Sequence, residues 1–412
     1  MGSTIVAVDN ALSRIYQENR EWFDSSKFSF IRIAPNEKKV SEELKPFTLE
    51  NWFENYKDKL LKSYSEIIYK SPSIEKYCNE WWSLINKDEL KDIDSEIIEI
   101  LINSHNIIGA TCVGLANKSI GLDLIEFDIA IIDEAGRATP PELLIPILRA
   151  KKVVLIGDHY QLPPQYDRKL LAALENDDDG SLSSFDKEFF EKSFFERLYE
   201  NLPSTNKNML TDQFRMPKEV GSLISKIFYE GSLANGIEKN TIDFYDPNNT
   251  IKWIDVKGQQ KCDGKSSYNE HEVEKISSLL KDINLHLKSK KTVAIITPYS
   301  AQKKRIQKKV SSLKLDNISN IKIDTVDSFQ GEEAQIVIYS TVRTHGNLSF
   351  LIDRKRLNVA ISRTQENLMF VGHKNFLEKA EVNGKINLFK EIINYINEID
   401  LITELRREFA RV

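Results

Sequence analysis

Cysteine is scarce: 412 residues hold only Cys78, Cys112 and Cys262, an odd number, far apart and without metal-ligand spacing. This excludes a disulfide framework or a structural zinc module and fits a reducing compartment. A run of about 18 apolar residues is also missing, so no segment is expected to cross a bilayer as a helix. The first residues carry no secretory-leader pattern, and the expected location is cytoplasmic, with the nucleus left open. Basic excess is absent too: 57 Lys and Arg stand against 62 Asp and Glu. That balance argues against the wholly basic surface of a nucleic-acid-coating protein while leaving room for a basic lining confined to a groove. No short-period repeat is visible. What the chain does have is length and apolar content sufficient for two or three domains with real cores.

One stretch organises the rest: Ile129 to Pro164, IAIIDEAGRATPPELLIPILRAKKVVLIGDHYQLPP. Ile129–Ile132 and Val153–Ile156 are short, β-branched, continuously apolar runs, the pattern of strands buried on both faces. Between them, Thr139-Pro-Pro-Glu142 has capping-box spacing, and Leu143, Leu144, Ile147 and Leu148 form an apolar helical stripe. The sum is a βαβ unit. Ligands bind beyond the carboxyl ends of such strands, where Asp133, Glu134, Gly157 and Asp158 are expected. There the first carboxylate suits Mg²⁺, held directly or through water. The second suits orienting and deprotonating an attacking water. Gln161 is placed to hydrogen-bond a γ-phosphate. A lone Asp-Glu after a strand more often caps the next element; two acidic strand ends one crossover apart favour a nucleotide site.

IIDEAGRATPPELL and LIGDHYQLPP resemble two motifs of the superfamily 1 helicases, in the Upf-like branch that includes the nonsense-mediated-decay helicase and senataxin. LTDQFRMP at 210–217, ITPYSAQ at 296–302, TVDSFQGEEAQIVIYSTVRT at 325–344 and RLNVAISRTQENLMFVGH at 356–373 follow in the branch's order. The resemblance implies an α/β fold of two RecA-like parallel-sheet motor domains, residues 1–204 and 205–412, with a helical insertion at about 35–100 in the first. It implies an ATP-dependent, Mg²⁺-requiring helicase or translocase on single-stranded RNA or DNA. Arg215 and Arg363 match arginines that reach the triphosphate from the second domain. Phe214 matches an adenine-stacking aromatic, and Glu333, two after Gly331, a ribose-binding acid; Glu332 is read as solvated. Asn10, Thr111, Pro298, Tyr299, Thr325 and Ser328 fall where the family contacts the nucleic-acid backbone. For Thr111 a plain strand-ending turn is an equal alternative. Arg356, seven residues before Arg363, is expected to support it or the cleft.

No Gly-x-x-x-x-Gly-Lys-Ser/Thr segment occurs in the sequence, although such a loop cradles phosphates with its amides and lysine. Gly258–Ser266 comes nearest, but with five residues between its glycines. TIVAVDNALSRI resembles the family segment that follows the phosphate-binding loop, with Asp9, Asn10 and their helix beside nucleic acid. The first domain is therefore expected to be incomplete at its N-terminus, with a further segment or a partner chain supplying the loop. The polypeptide alone is expected to bind ATP weakly. A degenerate or fragmentary motor serving as a nucleic-acid-binding or scaffolding module is the alternative.

Elsewhere, apolar spacing between Phe28 and Leu101 predicts amphipathic helices, with Trp52, Phe53 and Tyr56 read as core in preference to base-stacking platforms. Cys112 is read as a buried small residue. Leu171–Asp186 reads as a polar, acidic mobile loop, followed by a helix from Ser193 and a domain boundary near 200–210. In the second half, strands are expected at 292–297, 321–326, 335–341 and 367–372, with a helix from Ala301 and an amphipathic C-terminal helix over Leu388–Phe409.

Overall fold

The computed structural model describes the whole chain except residues 1–4, 26–27, 35, 88, 119–121, 123–124, 168–191, 237–249, 330, 349, 383–385 and 410–412; the acidic segment at 171–186 lies outside the described residues. The chain divides into two compact units: Met1–His159 with Pro163–Leu202, and Tyr160–Leu162 with Pro203–Val412. Among the described residues, no helix is long and apolar enough to cross a membrane.

In the first unit, β1 (Phe30–Ile33) and β2 (Ile107–Ala110) pair in parallel. The strand β1 was not foreseen, because an arginine interrupts its apolar run. Arg32 is fully buried there, its Nε donating to Asp9 Oδ1 at 2.7 Å and its Nη1 to the Ile33 carbonyl at 2.7 Å. Asp9 Oδ2 accepts the Ser41 N–H at 2.9 Å. Asp9 thus ties α1 (Ile5–Glu18) to the strand; Asn10, one residue on, is exposed. Leu12 of α1 presses onto Gly109, where a Cβ would lie 2.4 Å from its Cδ1, so glycine permits the close approach of helix and strand. Truncating one partner of a buried ion pair leaves the other charge uncompensated. Asp9→Ala is expected to destabilise this unit by about 3–5 kcal/mol, read as an early thermal transition. An unshifted melting curve would show the pair to be structurally idle.

The helices α2 (Leu49–Lys70), α3 (Glu75–Ile85) and α4 (Ser95–Asn103) form the expected helical region. Phe53 is buried, and Trp52 and Tyr56 stack at 5.2 Å against the same core, as the core reading requires. A second parallel pair, β3 (Phe127–Ile132) and β4 (Ala150–Leu155), flanks α5 (Pro140–Ile147), whose entry is held by Glu142 Oε2 accepting both the N–H and the hydroxyl of Thr139. Here two expectations need correction. Among the described residues, one face of β3–β4 is covered, by Cys112, Ala135, Leu143 and Phe195. On the other, Ile129, Ile131, Val154 and Ile156 are each about half exposed (54, 52, 47 and 47%). Likewise α5 turns Leu143 and Ile147 inward but leaves Leu144 and Leu148 exposed, so its stripe is split. The sequence carries the apolarity of a doubly covered strand, and the described residues supply the cover for one side.

The second unit holds a five-stranded, all-parallel sheet in the order β9-β8-β10-β11-β5: β5 (Ile251–Asp255), β8 (Lys291–Thr297), β9 (Ile318–Thr325), β10 (Ala334–Ser340) and β11 (Thr364–Gly372). Period-two alternation sends Ala294, Ile296, Val337 and Tyr339 to one face and Val293, Ile295, Ile336 and Ile338 to the other. The helices α7 (Lys218–Phe228), α10 (Arg354–Ser362) and α11 (Leu388–Phe409) cover the first face, and α8 (Glu270–His286) and α9 (Ser300–Val310) the second. The remaining labels are α6 (Phe194–Asn201) in the first unit and a hairpin of β6 (Lys261–Asp263) and β7 (Ser266–Tyr268) in the second. That hairpin turns at Gly264, φ +57°, and occupies the Gly258–Ser266 stretch, where no phosphate loop forms. The edge strand β5 carries no motif and was not anticipated.

Candidate nucleotide and nucleic-acid sites

Asp133 and Glu134 follow β3 directly, and Asp158 follows β4 by three residues. The two turns pack backbone to backbone: Ala135 N donates to the Ile156 carbonyl at 2.8 Å, and a Cβ at Gly157 would lie 2.9 Å from Gly136 N. Glycine at both places is what lets the acidic ends share one edge of the pair. Glu134 is in the left-handed region, φ 54°, a conformation costing roughly 1–2 kcal/mol for a residue with a side chain. Such strain persists where surrounding structure enforces it, often at functional sites. Asp133 Oδ1 accepts the Glu134 N–H at 2.9 Å. Among the described residues no group of three or more His, Cys, Asp or Glu is arranged to hold a metal by itself. A Mg²⁺ here would take one or two carboxylates and complete its shell with phosphate oxygens and water, which is its ordinary mode at nucleotide sites.

At the end of β2, the Thr111 hydroxyl accepts the Gly114 N–H at 3.1 Å, so it serves the turn, and its side chain is only partly buried. Cys112 beside it is 2% exposed, and burial pushes its thiol up to about 11, in keeping with a packing role.

In the second unit, residues from four distant stretches converge. Gln213 builds the turn of DQFRMP: its Oε1 accepts from Arg215 N and Met216 N at 3.0 and 2.7 Å. Phe214 is left 59% exposed, its ring so close to Gly236 that a Cβ there would lie 2.3 Å away. Arg215 Nε donates to Glu333 Oε2 at 2.8 Å, with both side chains partly exposed. Gly331, φ +81°, turns the chain just ahead of Glu333. Arg363, at the C-terminal end of α10, is 2% exposed; it donates to the carbonyls of Val359 (3.0 Å) and Glu332 (3.3 Å) and to Ser362 Oγ (2.9 Å). Its Nη2 also reaches Gln161 Oε1 at 3.4 Å, Gln161 lying in the three-residue segment that belongs to this unit. Arg356 does not support Arg363 as expected. It pairs with Asp353 at 3.1 Å and lies over the Phe350 ring, because its position near the start of α10 points it at another loop. Glu332 pairs with Lys322 at 2.6 Å while remaining half exposed.

The nucleic-acid candidates of this unit gather at the opposite, carboxyl end of the sheet. Thr297 and Thr325 are register partners at the ends of β8 and β9, so Pro298, Tyr299 and Thr325 are neighbours. Ser328 is exposed close by in sequence, its carbonyl accepting from Lys322 Nζ at 3.0 Å. Burial raises the Tyr299 phenol above its ordinary value. Sequence reasoning missed a buried polar bracket at the same end. Glu272, wholly buried and pushed up to about 8 by desolvation, accepts the Val342 N–H through both oxygens (2.9 and 3.0 Å) and the Ser340 hydroxyl at 2.6 Å. A signal was present in the NEHE run: two acids in the first turn of a helix, one of them, Glu272, on its buried face.

Two family models, each described as an AAA domain, match residues 66–168 and 190–375. An uncharacterized ATP-dependent helicase of Methanocaldococcus jannaschii is 29% identical over 77% of this chain and 46% of its own length. The ATP-dependent helicase upf1 of Schizosaccharomyces pombe is 29% identical over 91% of this chain and 39% of its own. A regulator of nonsense transcripts 1 homolog of Arabidopsis thaliana is 34% identical over 71% and 23%. The chain spans less than half the length of each of these relatives. A solved structure of the PRRSV helicase overlays with a TM-score of 0.33 at 12% identity, covering 68% of this chain and 45% of that one.

Proposed function

We propose that this chain, a member of the Upf-like branch of the superfamily 1 helicases, is an ATP-dependent motor on single-stranded nucleic acid. The observation that carries this reading is the convergence of Arg215, Glu333, Arg363 and Gln161 in one cluster of the second unit. In this account Asp133 holds Mg²⁺, which would neutralise phosphate charge. Glu134 orients and deprotonates the attacking water, with Asp158 beside it. Arg215 and Arg363 stabilise charge spreading on the transferred phosphoryl group, and Gln161 connects that arginine to the γ-phosphate. Phe214 offers an exposed ring to adenine, and Glu333, after the Gly331 turn, an acceptor to ribose. Asn10, Thr111, Pro298, Tyr299, Thr325 and Ser328 hold the strand by its backbone, which positions it without reading sequence. The chain then corresponds to two motor domains, 1–204 and 205–412.

The phosphate-binding loop absent from these 412 residues is supplied, in this reading, by a further strand-and-helix segment of the same protein or by a partner chain. The exposed face of Ile129, Ile131, Val154 and Ile156 supports it. Covering the exposed halves of four such side chains is worth roughly 3–6 kcal/mol, and parallel sheets are ordinarily covered on both faces. Binding of fluorescent single-stranded RNA and DNA tests the nucleic-acid half. The chain is expected to bind both in a salt-dependent way, and Thr325→Val to weaken binding about fivefold by removing one hydrogen bond. Salt-independent or absent binding would count against the motor reading and for a scaffolding role.

A further inference from the structure

Val342 is β-branched and fully buried, yet it has φ +69°, and the Arg343 N–H donates back to the Thr341 carbonyl at 2.8 Å. That is a γ-turn of the uncommon, positive-φ kind, which a side chain branched at Cβ resists. Its enforcement is visible. The Glu272 carboxyl group takes the Val342 N–H on both oxygens, and the Ser340 hydroxyl donates to it. Gln302 Nε2 donates to Ser340 Oγ at 3.0 Å, and Gln302 Oε1 accepts the Asn269 N–H at 2.8 Å. Thr341 N is tied to the Val371 carbonyl at 3.0 Å, and the Gln260 side chain accepts from Thr344 N at 2.9 Å. Every tether is buried or half-buried, and together they fix one backbone path.

We propose that Glu272 is a positioning residue that holds Val342 in this strained turn so that Arg343 is presented beside Tyr299 for a phosphodiester of single-stranded nucleic acid. The Arg343 guanidinium lies near enough to the Tyr299 phenol to oppose the rise that burial causes there, and it spans its loop to the Asn347 carbonyl at 2.8 Å. It is half-buried and stands at the sheet end where Pro298, Tyr299 and Thr325 meet, so a strand held by those residues passes its guanidinium. Arginine donors of fixed geometry suit phosphate oxygens. A turn free to relax to negative φ would swing the Arg343 backbone and lose that aim. Glu272 therefore acts through Val342 and touches no ligand itself. The proposal rests on the nucleic-acid reading above and adds the residue that presents the grip.

Two measurements on the full chain separate this inference from that reading. Oligonucleotide affinity of Glu272→Ala should fall about tenfold, Glu272→Gln should stay within about threefold because its carbonyl still accepts the Val342 N–H, and Glu272→Ala should add nothing in an Arg343→Ala background. Hydrogen exchange, which needs no ligand, should show the Val342 and Arg343 amides losing protection in Glu272→Ala while β10 keeps its own. Unchanged affinity in Glu272→Ala, or additive losses with Arg343→Ala, would overturn the proposal. If the wild-type chain binds no oligonucleotide, the motor reading fails, and exchange at 342–343 alone decides whether Glu272 holds the turn.

Discussion

ATP turnover by these 412 residues alone is expected to rise at least about 100-fold when a strand-(Gly-x-x-x-x-Gly-Lys-Thr)-helix segment is added, ahead of Thr4 or as a separate chain. The physical reason is the inventory of charge. A triphosphate needs backbone amides and a lysine around its β- and γ-oxygens, and the first unit contributes carboxylates at the ends of β3 and β4, which alone repel it. A Mg²⁺ held by Asp133 would offset part of that repulsion without fixing the phosphates in place. In the reading proposed above, the added segment covers the half-exposed Ile129, Ile131, Val154 and Ile156. Steady-state hydrolysis with and without single-stranded RNA is the measurement. Brisk turnover by the 412 residues unaided would mean that they contain another phosphate site, and the docking role of that face would fall with it.

In the same loop-supplied protein, Arg363→Ala is expected to lower kcat by about 10³, and Glu134→Gln by about 10², each with a much smaller change in nucleotide affinity. Arg363 is an unusual candidate for a group that meets a ligand, because at 2% exposure it is already bonded to Val359, Glu332 and Ser362. In the proposed role, the bonds from Nε and Nη1 to the Val359 and Glu332 carbonyls hold the guanidinium rigid, and Nη2, which donates to Ser362 Oγ and more weakly to Gln161 Oε1, exchanges the Gln161 contact for a phosphate oxygen. Arg215 is the opposite case, half-exposed and resting on Glu333. Removing Arg363 also strips partners from two carbonyls, so Arg363→Lys is the control. A lysine keeps the charge but not the fork, and recovery of stability without recovery of kcat separates packing from chemistry. An Arg363→Ala protein that stays folded and turns over ATP normally would remove the arginine from the account.

Much of the second unit was legible because its strands announce themselves: Thr292–Thr297 and Gln335–Thr341 are β-branched runs with helices of clear period between them, and the sheet lies buried on both faces. The strand β5 was not legible, since the five residues IKWID are too few, with Lys252 and Asp255 among them, to carry a clear periodic signal. In the first unit, β1 hid behind Arg32, whose burial depends on Asp9, 23 residues away in sequence; no local pattern records such a pairing. The β3–β4 expectation failed for an instructive reason. Apolarity reports what a strand is adapted to touch, whereas exposure reports what these residues provide. Of the site, the motif residues could be placed from their strand ends, but the Glu272–Val342 bracket could not. It exists only once α8 and the end of β10 meet, and a valine at positive φ runs against local propensity.

The proposal that Glu134 and Arg363 serve one hydrolysis event is tested most directly by a double-variant cycle on kcat in the loop-supplied protein. Groups serving one transition state are strongly non-additive. Glu134→Gln combined with Arg363→Ala is predicted to be no slower than Arg363→Ala alone. Losses that multiply, so that the double variant falls by the product of the two single effects, would mean that the residues serve separate events and would contradict it.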